Sequence, residues 1–343
     1  GTMSDYRLGR RDFLKASGAS ALGASVGTMG LPGEAAASPA QDAEPPSAGH
    51  EKGFPQLAFI TRYSPQKLAF AASAKYQGVV VKLDRTFNPN MTDAALDSVL
   101  STARQTGARI ISIECMEPNH IDADPAKRRR ANAFFIRCLE FGHRLGCKFV
   151  GTFSGATQGA SIEDQAKALA EVVNEKYMPV CEKLGVGMGW ENYPCDVNFA
   201  TAPAAWAKVF ALVPNHRLGL EFDPSHLVRQ YIDPYWAAWD FRDRILAVHA
   251  KDTEITQPVL QQVGILGDGW WRYRIPGQGL IDWPRFITVL LQVGFSGGMA
   301  VEHEDKFWDE PPSNGADEFP QARKDGFILA QRFLSMYLPG RLG

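Results

Sequence analysis

Residues 218–226 read Leu-Gly-Leu-Glu-Phe-Asp-Pro-Ser-His, a short hydrophobic run that ends in an acid and a histidine. A run of this kind is typical of a parallel strand that is buried on both faces of its sheet. Three more runs end in a similar way, at Glu191, His249 and Glu302. The sequence therefore repeats one unit, which is a buried strand with a polar carboxyl end.

Eight such strands are predicted, at residues 57–61, 78–83, 109–114, 148–152, 187–191, 218–222, 245–249 and 298–302. Amphipathic stretches between them predict helices, among them residues 92–105, 125–145, 162–184 and 203–213. Thr92, Ser161 and Thr201 occupy N-cap positions. Glycines that suit a left-handed helix end follow several helices, at Gly107, Gly146, Gly185 and Gly294. Eight units without a break in composition predict an α/β fold, a single-domain (β/α)₈ TIM barrel over residues 56–340.

An open, doubly wound sheet is the alternative architecture. It would place a glycine-rich phosphate loop after the first strand. Residues 62–65 read Arg-Tyr-Ser-Pro, which is not such a loop. The sequence therefore favours the closed barrel.

Four consecutive strands, the fifth to the eighth, end in Glu191, Asp223, His249 and Glu302. Functional side chains of such barrels lie at the carboxyl ends of the strands. Glu191 and Asp223 are 32 residues apart, and Asp223 and His249 are 26 apart. These spacings are close to the roughly 31 residues per unit of an eightfold barrel. His249 and Glu302 are 53 residues apart, which indicates an insertion at residues 253–280.

Three carboxylates and one imidazole form a ligand set that suits one divalent metal ion. Mn²⁺ is the expected ion, with Mg²⁺, Co²⁺ or Zn²⁺ as alternatives. Converging buried carboxylates without a cation would repel each other and become protonated. A helix cap or a surface ion pair would explain any one of these acids, but not four on successive strand ends. The sequence therefore predicts a metal site at Glu191, Asp223, His249 and Glu302.

Other residues near the strand ends are candidate substrate contacts. His226 is interpreted as a proton shuttle or a contact to a substrate hydroxyl, with a capping or packing role as the alternative. The remaining candidates are Glu114 and His120 near the third strand, Lys251 and Asp252 after the seventh, and Trp271, Arg272 and Arg274 in the insertion. Aromatic and guanidinium groups above the rim suit stacking on a sugar ring and hydrogen bonding to its hydroxyls. Alternation turns His303 away from Glu302, and its role stays open, as does that of Cys115.

Residues 9–15 read Gly-Arg-Arg-Asp-Phe-Leu-Lys and precede a weakly apolar run that leads to three alanines at 35–37. This order resembles a twin-arginine export signal, which is an address rather than an anchor. It predicts a signal peptide at residues 1–37 and a linker at 38–55. The expected location is the periplasm, and the twin-arginine translocase is the expected partner during export.

The composition argues against several classes of function. The net charge is −2, without the positive excess that nucleic-acid binding calls for. No stretch of 18 uninterrupted apolar residues predicts a transmembrane helix. Five cysteines without a CxxC pair support neither a zinc knuckle nor a redox motif. Aromatic residues near the rim leave room for a homo-oligomer.

The set Glu191, Asp223-Pro-Ser-His226, His249-Ala-Lys-Asp252 and Glu302 resembles the xylose-isomerase-like TIM barrels. This superfamily includes sugar isomerases, tagatose/psicose 3-epimerases and inosose dehydratases. In the epimerases, glutamates of the fifth and eighth strands are both metal ligands and acid/base groups. The resemblance implies these catalytic roles for Glu191 and Glu302, and a substrate contact for His226.

The resemblance implies proton abstraction next to a carbonyl, through an enediolate, by a metal-dependent sugar isomerase or epimerase. Phosphorylated sugars are scarce in the periplasm, so a free sugar or a keto-sugar is the expected substrate. The first alternative is a 3-keto-glycoside lyase or hydrolase that cleaves by β-elimination. The more distant alternative is a periplasmic sugar-binding protein.

Overall fold

The structure is a computed structural model that describes residues 53–309 and 319–339. Its central feature is a set of eight parallel strands. They are β1 (Gln56–Thr61), β2 (Gly78–Lys82), β3 (Arg109–Glu114), β4 (Phe149–Thr152), β5 (Gly187–Glu191), β6 (Leu218–Phe222), β7 (Ile245–Ala250) and β10 (Gly298–Val301). They close into a barrel in the order β1-β10-β7-β6-β5-β4-β3-β2. The predicted (β/α)₈ barrel is therefore confirmed, whereas the predicted signal peptide and nearly all of the predicted linker lie outside the described residues.

Helices connect the strands and cover the outside of the barrel. They are α1 (Pro65–Ser73), α2 (Asp93–Thr106), α3 (Pro125–Arg144), α4 (Ile162–Val172), α5 (Met178–Leu184), α6 (Pro203–Leu212), α7 (Pro224–Val228), α8 (Pro234–Asp240), α9 (Gln257–Val263), α10 (Trp283–Gln292) and α11 (Gln321–Ser335). Within the described ranges, none of these helices has both the length and the apolar character needed to cross a membrane.

Most helix ends follow the sequence signals. Thr92 and Ser161 cap α2 and α4 with their side-chain oxygens, as predicted. Thr201 was the wrong N-cap, because α6 starts after Ala202 and has no side-chain cap. The single helix predicted at 162–184 is interrupted by a π-helical turn at Val173–Tyr177.

The two faces of each barrel strand have different roles. Outward side chains, such as Leu220 and Phe222 of β6, pack in the large hydrophobic cluster beneath the helices. Inside the barrel a small apolar cluster is formed by Ala58, Ile60, Val80 and Ala300. Because side chains alternate along a strand, the inward positions nearest the carboxyl ends form a separate layer. That layer is polar, and it is where the candidate site lies.

The predicted insertion contains an antiparallel hairpin of β8 (Asp252–Ile255) and β9 (Trp271–Arg274), which sequence analysis did not recognise as strands. The buried carboxylate of Asp252 holds the base of the hairpin. It accepts hydrogen bonds from the backbone N–H groups of Gly277 and Ile281, at 3.1 and 3.0 Å, and from the indole of Trp283 at 2.9 Å. The hairpin is thereby fixed to the start of α10.

Gly189 provides a test of how closely the barrel strands approach. An added Cβ at Gly189 would lie 2.4 Å from the backbone oxygen of Gly219 on β6, whereas one at Gly298 would meet only the Ile111 side chain, at 2.9 Å. We expect Gly189→Ala to lower the free energy of unfolding by about 3 kcal/mol, because the backbone of β6 cannot move away cheaply. Gly298→Ala is the matched control and should cost less than about 1 kcal/mol. Urea unfolding followed by circular dichroism measures both, and equal losses would contradict this account.

Candidate metal centre

Four side chains from successive strands meet inside the carboxyl end of the barrel. Glu191 is the last residue of β5, Asp223 caps the helix after β6, His249 belongs to β7, and Glu302 directly follows β10. One potential ligand atom from each lies within 4.8 Å of the others, and all four residues are buried. The structure thus brings together the four residues that the sequence singled out.

The imidazole of His249 is the common neighbour of the three carboxylates. Its Nδ1 lies 3.1 Å from Oε1 of Glu191, 3.2 Å from Oε2 of Glu302 and 3.7 Å from Oδ2 of Asp223. The same nitrogen therefore faces all three carboxylates. A single ion bound between Nδ1 and these oxygens would require this arrangement.

This donor set fits a divalent cation. Carboxylate oxygens and an imidazole nitrogen are ligands of Mn²⁺, Mg²⁺, Co²⁺ and Zn²⁺. Oδ2 of Asp223 is fully buried and makes no well-directed hydrogen bond within the described residues, although Nζ of Lys251 and Nε2 of His226 lie 3.1 and 3.3 Å away. Coordination to a cation would satisfy this oxygen.

Lys251 brings a positive charge into the same centre. Its Nζ lies 2.6 Å from Oε2 of Glu302 and 3.1 Å from both Oδ2 of Asp223 and Oε2 of Glu304. Burial opposes the charged form of this lysine, but the surrounding carboxylates raise its pKa well above the usual value. Lys251, which the sequence suggested as a substrate contact, thus also balances the charge of the acids.

Burial by itself would raise the pKa of Glu191. The nearby His249 and the hydrogen bonds from His226 and His249 outweigh it and lower the pKa to about 2. Glu191 is therefore held as a carboxylate, the form that can bind a metal ion or accept a proton.

His226 connects Glu191 to the hairpin. Its Nε2 lies 3.0 Å from Oε1 of Glu191, and its Nδ1 lies 2.8 Å from the hydroxyl of Tyr273. Arg229 donates to that hydroxyl oxygen at 2.7 Å. The tyrosine O–H can therefore point to Nδ1, while Nε2 of His226 faces both Glu191 and, at 3.3 Å, Nζ of Lys251. A chain of close polar contacts runs from the hairpin to Glu191.

Two further carboxylates lie on the other side of His249. Its Nε2 is 3.2 Å from Oε1 of Glu221 and 3.3 Å from Oε1 of Glu114. Burial raises the pKa of Glu221 to about 8 despite the opposing effect of His249. Gly151 makes room for this group, because a Cβ there would lie 2.1 Å from Oε2 of Glu221. A carboxylate behind a metal-binding histidine typically fixes the ring and its tautomer.

A cleft of about 510 Å³ opens beside Lys82 and Glu114. Its wall includes Leu83, Met116 and Phe134, and Asn88, Asn90 and Arg85 contribute polar groups. Lys82 reaches from the end of β2 to Oε1 of Glu302 at 2.8 Å. Lys82 therefore connects the wall of the cleft to Glu302, one of the four central side chains.

Other residues suggested as substrate contacts lie elsewhere. His120 is buried between the hydroxyls of Tyr177 and Thr152, and Asp252 is occupied at the base of the hairpin. Arg272 and Arg274 both pair with Glu254. Trp271 packs against Arg229, whose guanidinium carbon lies 4.2 Å from the centre of the Trp271 ring. None of these contacts any of the four central side chains within the described part of the chain, and their substrate roles stay predictions.

The two residues with open roles are also buried. His303 packs its ring on Phe327, with a centroid distance of 5.1 Å. Burial, helped by Arg323, lowers the pKa of His303 to about 4. Cys115 lines the cleft, and its thiol lies 3.2 Å from that of the buried Cys138.

Sequence analysis missed Lys82, Glu221, Arg229 and Tyr273. Two of them had a usable signal, because Lys82 lies one residue before the end of the predicted strand 78–83 and Glu221 lies two residues before Asp223, on the same strand face. Tyr273 lies between Arg272 and Arg274, which were predicted as substrate contacts, but it was not itself selected. Nothing in the local sequence marks Arg229.

Comparison with known proteins places the centre in context. The inosose dehydratase of Lacticaseibacillus casei is 25% identical over 189 residues, which are 50% of this chain and 62% of that protein. The chain spans less than two thirds of the length of the curated relatives it matches.

Two solved structures show the same fold. D-psicose 3-epimerase from Clostridium cellulolyticum H10, with D-tagatose, has a TM-score of 0.62 at 15% identity, covering 82% of this chain and 99% of that one. The 3-keto-D-glucoside 4-epimerase of E. coli has a TM-score of 0.61 at 13% identity, covering 81% and 99%. The family model described as xylose isomerase-like TIM barrel matches residues 68–324. This chain therefore belongs to the xylose isomerase-like TIM barrel family.

Proposed function

We propose that this protein is a divalent-metal-dependent sugar isomerase or epimerase that acts on a non-phosphorylated sugar or keto-sugar. The observation that carries the proposal is the pair Glu191 and Glu302, which enter one buried centre from different strands with different partners. The names of the similar proteins, sugar epimerases and an inosose dehydratase, support the same class of chemistry.

The proposed roles follow from the contacts. Glu191, Asp223, His249 and Glu302 would hold the ion, which would supply stabilisation of negative charge on substrate oxygens. One glutamate would take the proton from the carbon next to a carbonyl, and the same or the opposite glutamate would return it. His226 would orient Glu191 through the hydrogen bond from its Nε2. Glu221, behind His249, would keep the imidazole in place.

The identity of the ion and the location of the protein are parts of the proposal. Mn²⁺ suits a centre with three carboxylates and one imidazole, although the other hard or borderline divalent ions share this preference. Export by the twin-arginine translocase to the periplasm rests on the sequence of residues 9–37 alone. The expectation of a substrate without phosphate depends on that location, because phosphorylated sugars are scarce in the periplasm.

The cleft favours a second candidate, β-elimination from a 3-keto-glycoside. The cleft, of about 510 Å³, lies beside the candidate metal centre rather than within it. A group attached to the reacting sugar could therefore occupy the cleft. In this reaction a glutamate removes the proton next to the ketone, the bond to the aglycone breaks, and the aglycone oxygen takes up a proton.

Metal binding gives the first test. We expect one Mn²⁺ per chain in calorimetric titration, because four buried ligand atoms converge on one point. Saturation at 100 times the dissociation constant should stabilise the fold by about 2.7 kcal/mol. Glu191→Gln and Glu302→Gln should each weaken binding at least tenfold, whereas the surface change Glu163→Gln should leave it intact. Full sugar binding after treatment with a chelator, without any bound metal, would favour the sugar-binding alternative.

Turnover gives the second test. The Mn²⁺-loaded protein should interconvert at least one ketose in a panel of free sugars. Glu191→Gln and Glu302→Gln should each lower kcat by about 100-fold or more, since each removes an acid/base group. Circular dichroism should show that both variants keep their fold. If the protein releases the aglycone from a 3-keto-glucoside and interconverts no ketose, the proposed isomerase activity is wrong and β-elimination takes its place.

A further inference from the structure

Glu302 is held by two lysines that approach its carboxylate from different directions. Lys251 is almost fully buried and binds Oε2 at 2.6 Å, the oxygen that also faces His249. Lys82 binds Oε1 at 2.8 Å, and 43% of its side chain is exposed. The two oxygens of Glu302 are therefore distinct: Oε2 faces the metal centre, and Oε1 faces Lys82, which lines the cleft.

The ammonium group of Lys82 has hydrogen-bonding capacity to spare. It carries three N–H donors, of which one serves Oε1 of Glu302. The nearest oxygen of Glu114 is 3.7 Å away, beyond an ordinary hydrogen bond. Lys82 makes no other hydrogen bond within the residues that the structure describes, and it lines the cleft. Its remaining donors are thus available to an oxygen atom of a molecule in the cleft.

The surroundings explain why the group would matter for a reaction. The hairpin places the ring of Tyr273 4.4 Å from Nζ of Lys251 and its hydroxyl against His226. A substrate that reaches the centre from the cleft would pass Lys82, which lines the cleft and binds Oε1 of Glu302. When a carbon next to a carbonyl loses its proton, negative charge develops on the neighbouring oxygen, and a preorganised cation there stabilises the transition state.

We propose that Lys82 is a catalytic residue of this centre, which binds the substrate oxygen that becomes negative and holds Oε1 of Glu302 beside the carbon that loses its proton. The inference rests on the proposed function and applies equally to isomerisation and to elimination. It predicts a combination of effects that distinguishes this role from a structural one, because loss of a structural lysine would disturb the ligands and weaken metal binding. Lys82 repels a metal cation in the same centre, so its removal should favour metal binding while it impairs the reaction.

The experiment compares Lys82→Met and Lys82→Arg with Lys148→Met, an exposed lysine just before β4 at the opposite end of the barrel. We expect Lys82→Met to lower kcat by about 100-fold or more. Its Mn²⁺ affinity should equal that of the wild type or be up to about tenfold higher. Lys82→Arg keeps the charge and should recover at least part of the lost turnover. Lys148→Met should behave as wild type.

A second measurement does not depend on turnover. A four-carbon sugar hydroxamate imitates the charge of an enediolate, and calorimetry can follow its binding to the Mn²⁺-loaded protein. Lys82→Met should bind it at least tenfold more weakly. Unchanged turnover and hydroxamate affinity in Lys82→Met would overturn the proposal, and so would a joint loss of Mn²⁺ affinity and thermal stability. A wild-type protein that binds Mn²⁺ but neither converts a sugar nor binds the hydroxamate would refute the proposed function, and the role of Lys82 with it.

Discussion

The crowding of acids around the single imidazole of His249 is the constraint on which this structure depends. Five carboxylates surround the ring, from Glu114, Glu191, Glu221, Asp223 and Glu302. Like charges at this depth cost several kcal/mol each unless they are paired, protonated or bound to a cation. The lysines, the raised pKa of Glu221 and the ligand geometry are all responses to this one problem.

The barrel separates these responses in space. Nδ1 of His249 faces the oxygens of the candidate metal site, and Nε2 faces Glu221 and Glu114. The apolar side chains of Ala58, Ile60, Val80 and Ala300 pack together elsewhere inside the barrel. Polar and apolar layers can alternate in this way because every second residue of each strand points inward. The centre is thus built on rigid strands, which suits the proposed roles of holding an ion and moving a proton.

The two glutamates proposed as acid and base have unlike surroundings. Glu191 lies at the end of a series of hydrogen-bond contacts that runs from Arg229 through Tyr273 to His226. These three residues lie in or near the inserted hairpin. Glu302 is held between a buried lysine and a half-exposed one at the cleft. Both glutamates are equally buried, but the partners of Glu191 are histidines and those of Glu302 include two lysines. Asp252 anchors the hairpin. The difference between the two glutamates therefore depends on the insertion as well as on the barrel.

The sequence by itself determined the eight strands, their order and the four polar strand ends, because buried parallel strands have a simple hydrophobic pattern and a regular spacing. It also indicated the insertion, from the gap between His249 and Glu302. The tertiary structure alone decided which distant groups meet there. Lys82 and Glu302 are 220 residues apart in the chain, and Tyr273 and His226 are 47 apart. Barrel closure and the fold of the hairpin bring these pairs within hydrogen-bonding distance, and no local pattern records either event.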